Sequence, residues 1–141
     1  PMTDVVPWWS QATLPPSEHP GMATIDRDRL AGETGSVDLV DARSPERYRG
    51  DEEPIDPIAG HIPTAINRPY EDNLAEDTTM LDPEVLAERF AGLEAPVVYC
   101  GSGVTACLDI LAMELAGVEG AVLYPGSWSD WSATGMPVAT E

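Results

Sequence analysis

The chain has 141 residues, 43% of them hydrophobic, which is enough to bury one core and too few for two ordinary domains. Its formal charge is −18, with seven arginines and no lysine, and such acidity argues against nucleic acid as a partner. No stretch approaches the roughly 20 apolar residues of a membrane span, and no basic and then apolar leader opens the chain, so we predict a soluble, cytoplasmic protein away from membranes.

Residues 1–21 carry five prolines and no sustained hydrophobic period. This composition predicts an interdomain linker or N-terminal arm, followed by one domain over 22–141. Trp8 and Trp9 are unusual in a free linker. They would pack either onto their own domain or against a missing partner domain, and both interpretations stay open.

From residue 22 onward, short apolar runs alternate with helix-like segments. Strands are predicted near 22–25, at 37–41, near 65–67, at 96–99 and at 121–124. Helices are predicted near 26–32, from Ser44 onward, near 70–75, from Asp82 to about Ala91, over 103–116 and at 127–132. The segment 103–116 has three polar interruptions, so we expect it to be buried on most sides. The alternation predicts an α/β fold with about five parallel strands and helices on both faces.

A cysteine stands where a buried strand gives way to a glycine-rich loop and an apolar helix. Ligands of open α/β sheets bind at the carboxyl ends of strands, where this order places Cys100. Backbone N–H groups of the loop and the helix N-terminus would converge there and favour a thiolate or a persulfide anion. Gly101 and Gly103 would let the backbone curl around the sulfur. A small buried hydrophobe at a strand end fits the position equally well, and position alone leaves both interpretations open.

The second cysteine, Cys107, lies one turn into the apolar helix and is interpreted as a core residue. Seven helical residues rise by about 10 Å, beyond the roughly 7 Å limit for a disulfide, so two free thiols are predicted. The two histidines, His19 and His61, are far apart in sequence, and no close pair of Cys or His ligands exists. A structural metal site is therefore not expected.

The loop Cys100-Gly101-Ser102-Gly103-Val104-Thr105-Ala106 resembles the active loop of the 3-mercaptopyruvate sulfurtransferase branch of the rhodanese family. Thiosulfate-preferring members have basic residues at the two positions after the cysteine. Four more stretches, at 4–7, 40–50, 60–67 and 126–131, are similar to the C-terminal, cysteine-bearing domain of tandem sulfurtransferases. The resemblance implies a rhodanese-like three-layer fold.

The same resemblance implies roles for the residues of this loop. Cys100 matches the catalytic nucleophile, and Ser102 matches a hydroxyl that assists proton transfer. The other loop residues are expected to contact the substrate: Gly101, Gly103, Val104 and Thr105. The implied reaction moves sulfane sulfur from 3-mercaptopyruvate or thiosulfate, through a Cys100 persulfide, to cyanide or a thiol such as thioredoxin, with no cofactor.

Arg47 matches the arginine that binds the anionic end of the donor, a role that suits a guanidinium because it donates two parallel hydrogen bonds. The alternative is a solvated helix arginine paired with Glu46 or Asp51. Asp41 is interpreted as an anchor for the loop after its strand, and His61 as a structural residue in the turn before a strand.

Two departures from the family pattern concern the substrate. The segment 51–59 has no basic residue, where some relatives carry a second substrate arginine, and the N-terminal domain that completes the cleft in tandem relatives is missing. A phosphatase of this fold would need an arginine six positions after the cysteine, where this chain has Ala106. A sulfur-carrier or protein-binding module that turns over no small molecule is the remaining alternative.

Overall fold

The computed structural model describes residues 21–140, so the expectations for Trp8, Trp9 and the rest of residues 1–20 lie outside it. Strands and helices alternate along this range, as predicted. The strands are β1 (Leu39–Asp41), β2 (Ile66–Asn67), β3 (Val97–Tyr99) and β4 (Val122–Leu123). The helices are α1 (Arg27–Glu33), α2 (Pro45–Arg49), a 3₁₀ helix (Tyr70–Asn73), α3 (Pro83–Arg89), α4 (Ala106–Leu115) and α5 (Ser127–Ala133).

The sheet is parallel, with strand order β2-β1-β3-β4. It has four strands among the described residues, so the prediction of about five was one too many. The segment near 22–25 forms only an isolated bridge, between Thr24 and Leu123. It cannot extend further, because its partner β4 is two residues long and because Asp26 already caps α1 by accepting from the Arg29 N–H.

Alternate residues of the central strands feed two separate cores, as the two-residue period of a strand requires. On one face Leu39, Val97 and Tyr99 pack with residues of α1, α2 and α5. On the other face Val40, Val98 and Cys100 pack with residues of α3 and α4. Helices therefore cover both faces, which confirms the three-layer α/β architecture.

Half of the residues of α4 are buried and Leu111, Glu114 and Leu115 are exposed, so the expectation of burial on most sides was only partly met. Its buried side consists of Ala106, Asp109, Ile110, Ala112 and Met113, four of which follow the i, i+3, i+4, i+7 spacing. Leu111 and Leu115 lie on the outer face and are exposed. The polar Asp109 is the inward residue because Asn73 of the 3₁₀ helix donates to its carboxylate at 2.6 Å. A helix that lies on one face of a sheet buries a single stripe.

Two helix starts were placed correctly, although only some of the signals used to place them act in the structure. Ser44 and Asp82 occupy the N-cap positions of α2 and α3, but neither side chain makes a capping hydrogen bond in the described chain. Pro45 and Pro83 at the first helical positions favour both starts, because proline has no N–H that needs a partner. None of the described helices has the length and apolar character to cross a membrane.

Candidate active site

Cys100 directly follows the central strand β3 and is 2% exposed. The start of α5 holds it in place from the side of β4. The Cys100 N–H donates to Ser127 Oγ at 3.1 Å, and the Trp128 N–H donates to the Cys100 carbonyl at 3.0 Å. The Ser129 N–H donates to the Gly101 carbonyl at 3.0 Å. The carboxyl end of β3 and the N-terminus of α5 thus fix the backbone on which the sulfur stands.

The loop after Cys100 surrounds its sulfur with hydrogen-bond donors. Burial opposes ionisation of the thiol, but the Thr105 hydroxyl and the backbone N–H groups of Ala106, Ser102 and Gly103 outweigh it, so the pKa of Cys100 is lowered. These donors favour any anionic sulfur at this point, whether thiolate or persulfide. The convergence expected from the glycine-rich sequence is therefore present around Cys100.

The predicted loop residues have different places around the sulfur. Thr105 was predicted only as a substrate contact, yet its hydroxyl donates to the Cys100 sulfur. The signal available in the sequence was a hydroxyl residue immediately before the first residue of α4. The Ser102 side chain is exposed and makes no hydrogen bond within residues 21–140, so its backbone faces the sulfur and its hydroxyl faces solvent. Val104 is 72% exposed and forms part of the rim.

Both glycines of the loop lie close to neighbours other than the sulfur, and Gly103 has the tighter contact. Gly103 has a φ of 81°, and a Cβ atom there would lie 2.6 Å from the Pro125 carbonyl oxygen. A Cβ atom on Gly101 would lie 3.2 Å from Nη1 of Arg47. The loop therefore packs tightly against the residues before α5 on one side and against Arg47 on the other.

Arg47 reaches the Cys100 loop from α2, but its partners differ from those considered in the sequence. Its Nη2 lies 2.7 Å from Glu53 Oε1 and its Nε 3.3 Å from Glu53 Oε2. Glu46 and Asp51, named as the alternative partners, instead pair with Arg49. Residues two apart on a helix point to nearly opposite sides, so Arg49 meets the solvent-side carboxylates while Arg47 faces the loop.

A second arginine near the site, Arg43, was not identified as a functional residue from the sequence. It is buried, with Nη2 2.6 Å from Asp41 Oδ2 and Nη1 3.2 Å from Glu53 Oε2. Its guanidinium carbon lies 4.7 Å from the centre of the Trp128 ring. Asp41 also accepts from the Arg43 backbone N–H, which anchors the turn after β1 as expected. The carboxylate two residues before an arginine at a strand end was the available signal.

His61 is buried and has a packing role in the structure. Its ring stacks on Tyr48 with centroids 3.9 Å apart, and its Nδ1 donates to the Tyr48 carbonyl at 2.8 Å. These contacts hold the turn before β2 against α2. Among residues 21–140 there is no group of three His, Cys, Asp or Glu side chains placed to hold a metal ion.

Comparisons with known proteins agree on one family. The model of the Rhodanese-like domain matches residues 27–134. A probable 3-mercaptopyruvate sulfurtransferase of Pseudomonas aeruginosa is 43% identical over 125 residues, covering 82% of this chain and 44% of that protein. A putative thiosulfate sulfurtransferase, SseB, of Mycobacterium tuberculosis is 48% identical over 104 residues, covering 70% of this chain and 36% of that protein. The chain thus spans less than half the length of these relatives.

Solved structures show the same fold. The Tum1 protein of Saccharomyces cerevisiae superposes with a TM-score of 0.74 at 30% identity, covering 84% of this chain and 46% of that one. A variant of EanB in complex with ergothioneine superposes with a TM-score of 0.76 at 25% identity, covering 83% of this chain and 32% of that one. Both matches extend over most of the described residues.

Proposed function

The chain belongs to the rhodanese-like domain family, and from this we propose that it is the cysteine-bearing domain of a sulfurtransferase. The observation that carries the proposal is the set of N–H and O–H donors around Cys100, which lowers its pKa despite its burial. A thiolate held this way is a nucleophile, and the same donors stabilise the anion that forms when it accepts sulfur. The proposed donors are 3-mercaptopyruvate and thiosulfate, and the proposed acceptors are cyanide and thiols such as thioredoxin.

The proposed reaction has two displacement steps. The Cys100 thiolate attacks the sulfur of 3-mercaptopyruvate, the carbon–sulfur bond breaks, and its electron pair leaves on the enolate of pyruvate, which takes up a proton. With thiosulfate the sulfur–sulfur bond breaks and sulfite leaves. In the second step the acceptor attacks the outer sulfur of the persulfide, and the electron pair of the sulfur–sulfur bond returns to Cys100 as the thiolate. No redox cofactor is needed for this balance.

The surrounding residues take roles that follow from their positions. We assign binding of the donor's anionic end to Arg47, because its Nη1 is directed at the loop beside Gly101. Ser102 is assigned the proton that the enolate takes up, since its hydroxyl is exposed at the mouth of the loop. Val104 at the rim and Thr105 beside the sulfur are assigned contacts to the donor.

Intact-mass measurement tests the proposal directly. After incubation with either donor, the wild-type protein should gain the mass of one sulfur atom, and cyanide should remove it with formation of thiocyanate. Cys100→Ser should gain nothing, whereas Cys107→Ser should gain one sulfur atom. An adduct that is lost in Cys107→Ser and kept in Cys100→Ser would show that Cys107, and not Cys100, carries the sulfur.

A carrier or protein-binding module without turnover is the second candidate, and this chain spans 44% and 36% of the two sulfurtransferase relatives. A donor bound in a cleft between two domains would contact this domain on one side only. Under this proposal a protein extended at the N-terminus by a second rhodanese domain turns over the donor, and the present chain alone does not. Equal kcat/KM for the two proteins would exclude the module. A reducing compartment such as the cytoplasm would keep the thiol free for either role.

A further inference from the structure

The segment that follows α2 folds back over Arg47 and places a buried carboxylate on it. The Glu53 side chain is 4% exposed. Its Oε1 accepts from Arg47 Nη2 at 2.7 Å and from the backbone N–H groups of Ile55 and Asp56 at 3.2 Å each. Its Oε2 accepts from Arg47 Nε and from Arg43 Nη1. Burial would raise the pKa of Glu53, but these donors outweigh it and the pKa is lowered, so the carboxylate is charged at neutral pH.

A second carboxylate of the same segment connects Arg47 with α5. Asp56 Oδ2 lies 3.7 Å from Arg47 Nη2 and accepts from the Ser129 hydroxyl at 3.0 Å. Trp128 Nε1 donates to the Ile58 carbonyl at 3.0 Å. The same two α5 residues hold the backbone of the Cys100 loop through their N–H groups. The carboxylates are therefore fixed to the element that also fixes the sulfur.

These contacts determine how much positive charge the site offers to an anion. Arg47 uses Nε and Nη2 on Glu53, which leaves Nη1 on the side of Gly101. Two arginines near the loop, Arg43 and Arg47, lie against three carboxylates, which belong to Asp41, Glu53 and Asp56. Arg47 thus presents one N–H edge to the donor while its charge is already compensated.

We propose that Glu53 and Asp56 are specificity-determining residues, which compensate the charge of Arg47 so that the Cys100 site favours donors of low negative charge over compact dianions. The inference rests on the proposed function and adds the class of donor, a singly charged keto acid in preference to thiosulfate. Coulomb energy is proportional to the charge of the donor. Removal of one carboxylate charge should therefore increase the association of a monoanion by some factor, and that of a dianion by the square of the factor.

The size of the factor follows from the position of the carboxylates. After screening, one unit charge several ångströms from a solvent-accessible site interacts with a singly charged ligand there by an energy on the order of 1 kcal/mol or less. We therefore expect roughly a threefold gain for a monoanion and roughly a tenfold gain for a dianion. A residue with only a structural role would change all donors alike.

The experiment compares Glu53→Gln and Asp56→Asn with Asp51→Asn. Asp51 is an exposed carboxylate of the same segment that pairs with Arg49, so its substitution removes the same formal charge without touching Arg47. The first measurement is the rate of Cys100 alkylation by neutral iodoacetamide and by anionic iodoacetate, followed by peptide mass analysis so that Cys107 does not contribute. Relative to Asp51→Asn, both carboxylate variants should raise the ratio of iodoacetate to iodoacetamide rates, roughly threefold for Glu53→Gln.

The second measurement is single-turnover persulfide formation from thiosulfate and from 3-mercaptopyruvate. The ratio of the thiosulfate rate to the 3-mercaptopyruvate rate should rise by the same factor of roughly three. Asp56→Asn keeps an oxygen that can accept from the Ser129 hydroxyl, so we expect this variant to fold. It provides the test if Glu53→Gln does not fold. Both ratios equal to those of Asp51→Asn would overturn the proposal. A raised alkylation ratio with no persulfide in any protein would instead overturn the proposed sulfurtransferase function and leave the charge compensation supported.

Discussion

Substitution of the buried Asp109 by asparagine should remove a pH dependence from the stability of the fold. Asp109 is fully buried, and its Oδ2 has no hydrogen-bond partner among the described residues. Burial raises its pKa to about 7, with Asp41 and Glu71 adding to the rise, while the Asn73 hydrogen bond and Arg89 oppose it. The folded protein therefore keeps a proton on Asp109 between about pH 4 and pH 7 that the unfolded chain releases.

The sign and the size of the effect follow from this difference. Where the folded state binds more protons, stability falls as pH rises, by about 1.4 kcal/mol per pH unit. The full penalty is reached above about pH 7 and amounts to roughly 4 kcal/mol across the interval. Asparagine keeps an oxygen for Asn73 and, like the protonated acid, leaves its second polar group unpaired. Asp109→Asn should therefore match the wild type near pH 4 and exceed it at pH 8.

Urea unfolding followed by circular dichroism at half-unit steps from pH 4 to pH 8 measures this difference. Because other carboxylates titrate in both proteins, the difference between variant and wild type isolates Asp109. Asp77→Asn is the control, since Asp77 is exposed and its pKa is lowered by hydrogen bonds from Thr79. Its difference from wild type should be flat over this range. A flat difference for Asp109→Asn as well would refute the reasoning.

Further predictions concern the Cys100 loop. Cys100→Ser should abolish sulfur transfer and leave the melting temperature nearly unchanged, since an alcohol neither ionises at neutral pH nor stores sulfane sulfur; Cys107→Ser should keep activity in the same assay. Thr105→Val should raise the pKa of Cys100 by removing a hydrogen bond to its sulfur, which the pH dependence of iodoacetamide alkylation would detect as a shift to higher pH. Gly103→Ala should cost about 1–3 kcal/mol in urea unfolding and at least tenfold in activity, because of its positive φ and the approach of Pro125; an unchanged protein would show that the loop adapts freely.

The position of Cys100 in the fold could be predicted from local sequence, whereas the partners of Arg47 could not. Cys100 follows an apolar run and precedes glycines and an apolar helix, and this order alone places it at the carboxyl end of a strand. The candidate partners of Arg47 were sought within one helical turn. Its actual partner, Glu53, lies in an irregular segment with two prolines, where no periodicity constrains which side chain turns inward. The sequence showed that this segment is acidic, but it did not show that one of its carboxylates contacts Arg47.

Asp109 illustrates a second limit of pattern-based prediction. In the sequence, Asp109 was counted only as one of three polar interruptions of an apolar segment, and no partner or role was predicted for it. Its burial depends on a hydrogen bond from Asn73, which is 36 residues earlier in the chain. The prediction of a fifth strand near 22–25 was wrong for a related reason, because the length of that strand is limited by the two residues of its partner β4. Tertiary partners, and not local propensity, decided these cases.

The order of the strands in the sheet determines when each strand pair can form during synthesis. β1 can pair with β3, and β3 with β4, only after the later strand of each pair has been synthesised. Thr24, near the start of the described residues, forms its bridge with Leu123. Pairings between distant segments form slowly, and the sheet cannot close until most of the domain has left the ribosome. The backbone of Cys100 is then fixed by the N–H of Trp128, which emerges later still. The hydrogen bonds that fix the Cys100 backbone therefore form only after α5 has been synthesised and has docked.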